Sequence, residues 1–476
     1  MKVAISNYLK NCKPATEKLV KELSKDFSYV SVMGTDSFGT SFTVRKTGAQ
    51  VGDSSWSERG FVVRVYNGIN YSEFSLNNLT NDNVLDQAQN IKNKLLKDLK
   101  VIKGLSLDVN KYPLIEEAQT NNNFYGEVDV LPESVDTKEK LDKLNNMLKV
   151  AFEGSDLLVD FRATYTCVQV NKIFISSKKD LEQAYIWSEG YLIPIVRKDD
   201  NTKYAFQSFS GLKGVEMLDE MEQKVKSSIK ETLELLDADH VSPGEYDVIC
   251  SPEISGLIAH EAFGHGVEMD MFVKKRAKAM EYIGKPVASS LVTMHDGAAS
   301  AKHMSSYLFD DEGTLANDTI IIKDGILQAG ICDQLSALQL KTAPTGNGKR
   351  QSFERKAYTR MTNTFFAPGS STLDEMIASI DFGYLLDGTM SGMEDPKNWG
   401  IQCMMLKGLE IKHGKLTGKI VSPVIMTGYV PDLLKSISMV SGDFELFGSG
   451  ACGKGYKEYV KVSDGGPYIK AKARLG

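Results

Sequence analysis

Residues 258 to 268 read IAHEAFGHGVE, which sets His260 beside Glu261 and brings a second histidine at His265. Two neutral imidazoles can share a metal ion, and a glutamate next to a ligand can take a proton from water and return it to a leaving amine. Zinc hydrolases of the H-E-x-x-H type space their histidines four apart, which on a helix leaves about 40° between them. Five residues leave about 140°, so a regular helix would point His260 and His265 apart. Two local changes restore convergence. One is a π-bulge, which adds a residue to a turn; the other is a helix that ends near Gly264, letting His265 reach back. Gly264 and Gly266 flank the second histidine, and the expectation is that they supply the unusual dihedrals either solution needs.

A catalytic zinc takes three protein ligands and a water, and spacing does not supply the third. The run HGVEMDMF holds no further histidine. Glu268, Asp270 and Glu281 are near in sequence, but acidic residues on a helix usually face solvent. Six cysteines, at 12, 167, 250, 332, 403 and 452, form no C-x-x-C pair. Cys167, Cys250 and Cys403 sit in apolar strand contexts and read as core. Cys452 lies in the glycine-rich LFGSGACGKGY, which fits a thiolate brought close to a metal and fits an ordinary turn equally well. His295 and His303 stay open as donors, His240 less so, and His413 beside Gly414 reads as a hairpin turn.

The elements that must position these residues are mixed. Residues 1–105 alternate helix and strand: ATEKLVKELSKDF has helical spacing, GFVVRVYNGINYSEFSL alternates like strands, and Asn67-Gly68 is a two-residue hairpin signal. A stretch without periodicity then reads as a linker. Residues 106–235 are a strand-rich middle region flanked by helices, with turns too short for crossover helices and therefore antiparallel pairing. Residues 236–476 form a mainly-β domain carrying the metal-binding helix, with a hairpin at Asp324-Gly325 and a long irregular segment over 343–371. The fold class is α+β.

With 56 basic against 62 acidic residues and a net charge of −6, there is no electrostatic footprint for nucleic acid. The basic run Lys274, Lys275, Arg276, Lys278 reads as the wet face of a helix. The N-terminal stretch mixes charges through its apolar positions, unlike a signal peptide, and no apolar run reaches about eighteen residues. Scattered cysteines suit a reducing compartment. The expectation is a cytoplasmic protein with no membrane span.

HEAFGHGVE, FDDEGT, APTGNGKR, RMTNTFFAPG and ISMVSGDFELFGSGACGKG, in this order between about 250 and 460, resemble the TldD branch of the TldD/PmbA family. The resemblance implies a zinc-dependent peptidase with an H-E-x-x-x-H motif, with His260, His265 and Cys452 as metal ligands and Glu261 as the catalytic acid/base. It also implies a dimer with an enclosed cavity, formed with itself or with a paralogue lacking the metal motif, acting on unfolded or extended peptides. Arg350, Arg360 and Asn363, in the long irregular segment, are candidates for holding substrate or its oxyanion; structural hydrogen bonds within a loop are the competing reading. Two other functions stay open: a peptide-binding module with a structural metal, and a zinc hydrolase of a non-peptide amide.

Overall fold

The computed structural model describes residues 1–104, 111–456 and 458–476. Alternating apolar residues in the first half build one nine-stranded sheet. Its main path runs Tyr71–Leu76, Glu58–Tyr66, Val30–Arg45, Leu158–Ser176, Lys179–Lys198 and Thr120–Tyr125. All neighbours on that path are antiparallel except the last, where Thr120–Tyr125 runs parallel to Lys179–Lys198. Phe61, Val63 and Val65 point to one face, where the helices Asn7–Leu23, Val84–Gly104, Thr137–Glu153 and Met217–Glu234 cover them in a common core. The expected boundary at 105/106 lies outside the described residues. The strands on its two sides share this sheet and this core, so residues 1–105 and 106–235 do not form separate layers. Long-range strand pairing overrides the linker-like composition between them.

The hairpin after Glu58–Tyr66 turns one residue later than Asn67-Gly68 suggests. Gly68 takes φ 91°, the Asn67 N–H donates to the Asn70 carbonyl at 3.0 Å, and the Asn67 side chain accepts from the Ile69 and Asn70 N–H groups. The Asp324-Gly325 and His413-Gly414 turns form as expected, each with two positive φ values joining adjacent antiparallel strands.

In the second half five strands close on themselves. Gly244–Cys250, Phe382–Asp395, Gly400–Lys412, Val424–Tyr429 and Ile469–Leu475 pair in turn, and Ile469–Leu475 pairs back onto Gly244–Cys250. A six-stranded sheet containing Asn363–Phe366 and Ser463–Gly466 lies beside this ring. The helix Pro252–Ile258 packs between them, and a Cβ on Gly256 would meet the Gly465 backbone nitrogen at 2.3 Å. That close approach is what fixes the helix that starts the metal motif. The α+β class stands, with the C-terminal half mainly strand. No helix among the described residues is long and apolar enough to cross a membrane.

The second face of the nine-stranded sheet packs on the C-terminal half. Met33, Val62, Phe174 and Leu181 meet Phe309, while Val168, Tyr185 and Trp187 meet Met304. FDDEGT turns out to be the clasp of this contact. Arg64, on the same face as Val62, is hydrogen-bonded to Glu312 and to Glu73, the latter at 2.8 Å, and donates to the Gln334 side chain at 2.9 Å. Asp311 pairs with Lys172, and the Asp310 carboxylate accepts the Glu312, Thr314 and Gly348 N–H groups. Burial would favour the neutral form of Glu73, but Arg64 and Arg350 hold its carboxyl well below the usual range. Removing one partner of such a buried network strands the others. Arg64→Ala is expected to destabilise the protein by about 3–5 kcal/mol in a denaturant melt. A change within about 1 kcal/mol would show that the clasp carries little of the stability.

Candidate active site

The chain leaves the strand Gly244–Cys250 through Ser251 and enters the helix with Pro252 in its first turn, where a missing N–H costs nothing. From Ala259 to Gly264 the helix widens into a π turn, and the His265 N–H donates to the His260 carbonyl five residues back. A 3-10 turn follows over His265–Val267. The extra residue returns the fifth side chain to the face of the first. The His260 and His265 rings therefore lie edge to face, with centroids 5.0 Å apart. The π-bulge, rather than an early helix end, solves the five-residue spacing.

Both glycines beside His265 serve a different purpose from the one expected. Gly264 is ordinary right-handed helix at φ −59°, ψ −54°, so dihedral freedom is not what it contributes. Space is. A Cβ on Gly264 would stand 2.1 Å from the Met361 sulfur, and one on Gly266 would stand 2.9 Å from Glu394 Oε1.

Cys452 comes to the histidines on a hairpin that pairs Ala451–Lys454 with Glu458–Lys461. Its sulfur lies 3.4 Å from His265 Nε2, and one donor atom from each of His260, His265 and Cys452 falls within 4.8 Å of the others. Around them is a layer of fixed partners. His265 Nδ1 faces Glu268 Oε2 at 3.2 Å, which turns Nε2 towards the cysteine. Glu268 is held by Lys454 at 2.9 Å, and Lys454 also binds Asp270 at 2.7 Å. Arg360 donates to the Cys452 carbonyl and, at 3.1 Å, to that of Glu458, so it pins both hairpin strands. His260 Nδ1 lies 3.8 Å from Asp464 Oδ2 and has no hydrogen-bond partner among the described residues.

Charge follows this geometry. Burial would push the Cys452 thiol up, but His260 and His265 pull it well below the ordinary thiol range. The other buried cysteines move the opposite way; burial alone raises Cys250 to about 12. Burial would likewise depress His265, but Glu268 and Cys452 hold its imidazole well above the usual value. Against its own burial, Lys454 and His265 keep Glu268 ionised, its carboxyl lowered to about 2. Two imidazoles and a thiolate, with His265 backed by the Glu268 carboxylate, form a donor set suited to zinc.

The three donors open on a cleft of about 780 Å³, whose walls include Glu261, Tyr358, Thr389, Glu394 and Asp464. Glu261 lies against the strand Phe382–Asp395 at Gly392, where a Cβ would come within 2.5 Å of its Cγ. Burial pushes the Glu394 carboxyl well above the ordinary carboxylate range, against the pull of His265 and with the like charges of Glu261 and Glu268.

Arg350, Arg360 and Asn363, the candidates for substrate contacts, sit in structural bonds. Arg350 binds Glu73 and the Arg355 carbonyl, joining the two halves. Arg360 is 1% exposed and holds the cysteine hairpin. Asn363 is 0% exposed and donates to Gly297, Ala301 and Ser306. Each makes structural bonds, and none of the three lines the cleft beside the metal donors. Glu268 and Asp270, expected to face solvent, are buried by their pairing with Lys454. The basic run is not one helix face: the helix Met269–Val273 ends before it, Lys275 takes φ 55°, and Lys274 and Arg276 line the cleft. His295 pairs with Asp318, and His303 bonds to Ser463, its imidazole pushed down to about 4 by burial. His413 meets Asp381 on the surface. Glu394 and Asp464 carry no signal in spacing, since they reach the cleft from strands distant in the chain. Glu268 carries a weak one, three residues beyond His265 and thus on its face of a 3-10 turn.

The profile of the PmbA/TldA metallopeptidase C-terminal domain matches residues 243–473. A metalloprotease of Methanocaldococcus jannaschii is 26% identical over 92% of this chain and 95% of its own length. A protein of Saccharolobus solfataricus described as a zinc metalloprotease TldD homolog is 28% identical over 75% of this chain and 83% of its own. The crystal structure of TldE from Thermococcus kodakarensis shares the fold, with a TM-score of 0.74 at 18% identity, covering 97% of this chain and 99% of that one. Residues 243–473 thus belong to the PmbA/TldA metallopeptidase C-terminal domain family, and the chain as a whole is similar to proteins described as metalloproteases.

Gly264→Ala tests the local geometry. The added methyl must displace Met361, which is buried, and overpacking of this kind costs about 1–3 kcal/mol. The expected outcome is a matching loss in a denaturant melt together with weaker metal uptake. A variant as stable as wild type would show that the π turn tolerates a side chain there.

Proposed function

We propose that this protein is a zinc-dependent peptidase of the TldD branch that hydrolyses peptide bonds in unfolded or extended chains. The observation that carries the reading is the convergence of His260, His265 and Cys452 beside Glu261. These three residues would hold zinc. When bound, the ion supplies Lewis acidity towards a peptide carbonyl and towards water. Among the described residues the convergent group has three members, one fewer than a closed structural site requires. That favours a catalytic over a structural role.

Glu261 acts on protons. Its carboxylate takes one from the attacking water, holds it, and delivers it to the nitrogen of the leaving amine. Gly392 leaves room for its stem to lie along the strand, which fixes where the carboxyl points. Glu268 orients His265, and Arg360 and Lys454 hold the cysteine hairpin in reach.

The shape of the cleft supports an extended substrate. A second chamber of about 280 Å³ shares Thr389, Gly450, Val462 and Asp464 with the first and continues to Tyr191 and Phe206 of the N-terminal half. An extended chain fits such a run better than a folded domain does. Six free cysteines support a reducing compartment, the cytoplasm. The family resemblance supports a dimer, with itself or with a paralogue lacking the motif.

The test is cleavage of an unstructured peptide by the reduced, zinc-loaded protein beside Glu261→Gln, read by mass spectrometry. Removing the proton shuttle is expected to slow turnover by about 10²–10⁴-fold while zinc content is retained. Equal turnover in the variant contradicts the role of Glu261, and loss of zinc would make the residue structural instead.

A further inference from the structure

On the strand Phe382–Asp395, Gly392 and Glu394 share a face, since side chains alternate along a strand. Gly392 backs Glu261. Two residues on, the Glu394 carboxylate lies against the backbone of Gly266, next to His265, and lines the cleft. Both of its oxygens are buried, and neither has a hydrogen-bond partner among the described residues. It stands outside the group of three donors that could share a metal ion.

A buried carboxyl with neither oxygen partnered is unfavourable in either form, and its place on the cleft wall points to a partner that arrives from outside. No cation on the walls answers it. Lys454 is engaged by Glu268, Asp270 and the Thr359 carbonyl, Lys274 binds Asp270 at 3.2 Å, and Arg276 is exposed. Both oxygens accept once a cation stands against them, and an ammonium brings three N–H donors together with the positive charge. Beside Glu261 and His265, such a group would sit close to the scissile carbonyl.

We propose that Glu394 is a specificity-determining residue that anchors a substrate ammonium next to the scissile bond, supplied by the α-amine of an N-terminal residue or by a lysine side chain. This rests on the peptidase reading above. It makes the enzyme selective by charge at one position and leaves the rest of the extended chain free in sequence.

The experiment is calorimetric titration of the zinc-loaded Glu261→Gln protein with a neutral unstructured peptide bearing a free N-terminus, the same peptide N-acetylated, and the acetylated peptide with lysines introduced along it. Acetylation of the neutral peptide is expected to weaken binding by about 10- to 100-fold, the range for a hydrogen-bonded charge. Recovery with lysine assigns the anchored group to a side chain. No recovery assigns it to the α-amine. Adding Glu394→Gln, with zinc content unchanged, is expected to bring the affinities for all the peptides together. Affinities that ignore both acetylation and lysine overturn the proposal, as does discrimination that survives Glu394→Gln. If the wild type cleaves the peptides without discriminating, only the role of Glu394 falls; if it neither binds nor cleaves any of them, the peptidase reading falls as well.

Discussion

The site depends on one hydrogen bond of unusual register, from the His265 N–H to the His260 carbonyl. It inserts one residue into a helical turn, and everything near it is arranged to accommodate that residue. Gly264 lets the widened turn press on Met361, Gly256 lets the preceding helix press on Gly465, and Gly266 leaves room for Glu394. A π turn is less favourable than continued α-helix and persists where packing over-determines it. Here the packing comes from the strand ring on one side and the six-stranded sheet on the other.

The third donor is imposed from a distance. Cys452 lies 187 residues beyond His265, so its position depends on the hairpin that carries it. Arg360 and Lys454 fix that hairpin, and both also sit against Glu268, Arg360 at 3.9 Å and Lys454 at 2.9 Å. One buried carboxylate thus links the orientation of His265 to the placement of Cys452. The N-terminal half enters through the Arg64 and Lys172 clasp on FDDEGT and through Tyr191 and Phe206, which line the continuation of the cleft. The cleft is therefore a product of both halves.

How much of this is legible in the sequence follows from how local each feature is. The His260–Glu261–His265 spacing and the need for a π-bulge or an early stop are local, and geometry alone limits the answer to those two. The Asp324-Gly325 and His413-Gly414 turns are local too, and form as read. Cys452 is not: its glycine-rich context leaves it open, and only resemblance to a family selects it. Arg350, Arg360 and Asn363 look like substrate contacts because polar residues in a long irregular segment invite that reading. Their partners, Glu73, the Cys452 carbonyl and Gly297, lie far away in the chain. Glu394 and Asp464 are invisible for the same reason. The glycines flanking His265 are conspicuous, yet their purpose, close packing rather than unusual dihedrals, depends on what the fold brings against them.

X-ray absorption at the zinc edge of the reduced, metal-loaded protein reads the donor set of His260, His265 and Cys452 directly. The expected ligand shell holds one sulfur and two imidazole nitrogens, with the sulfur contribution lost in Cys452→Ala. A shell without sulfur, or one closed by a fourth protein donor, would contradict the assignment of His260, His265 and Cys452 as an open catalytic site.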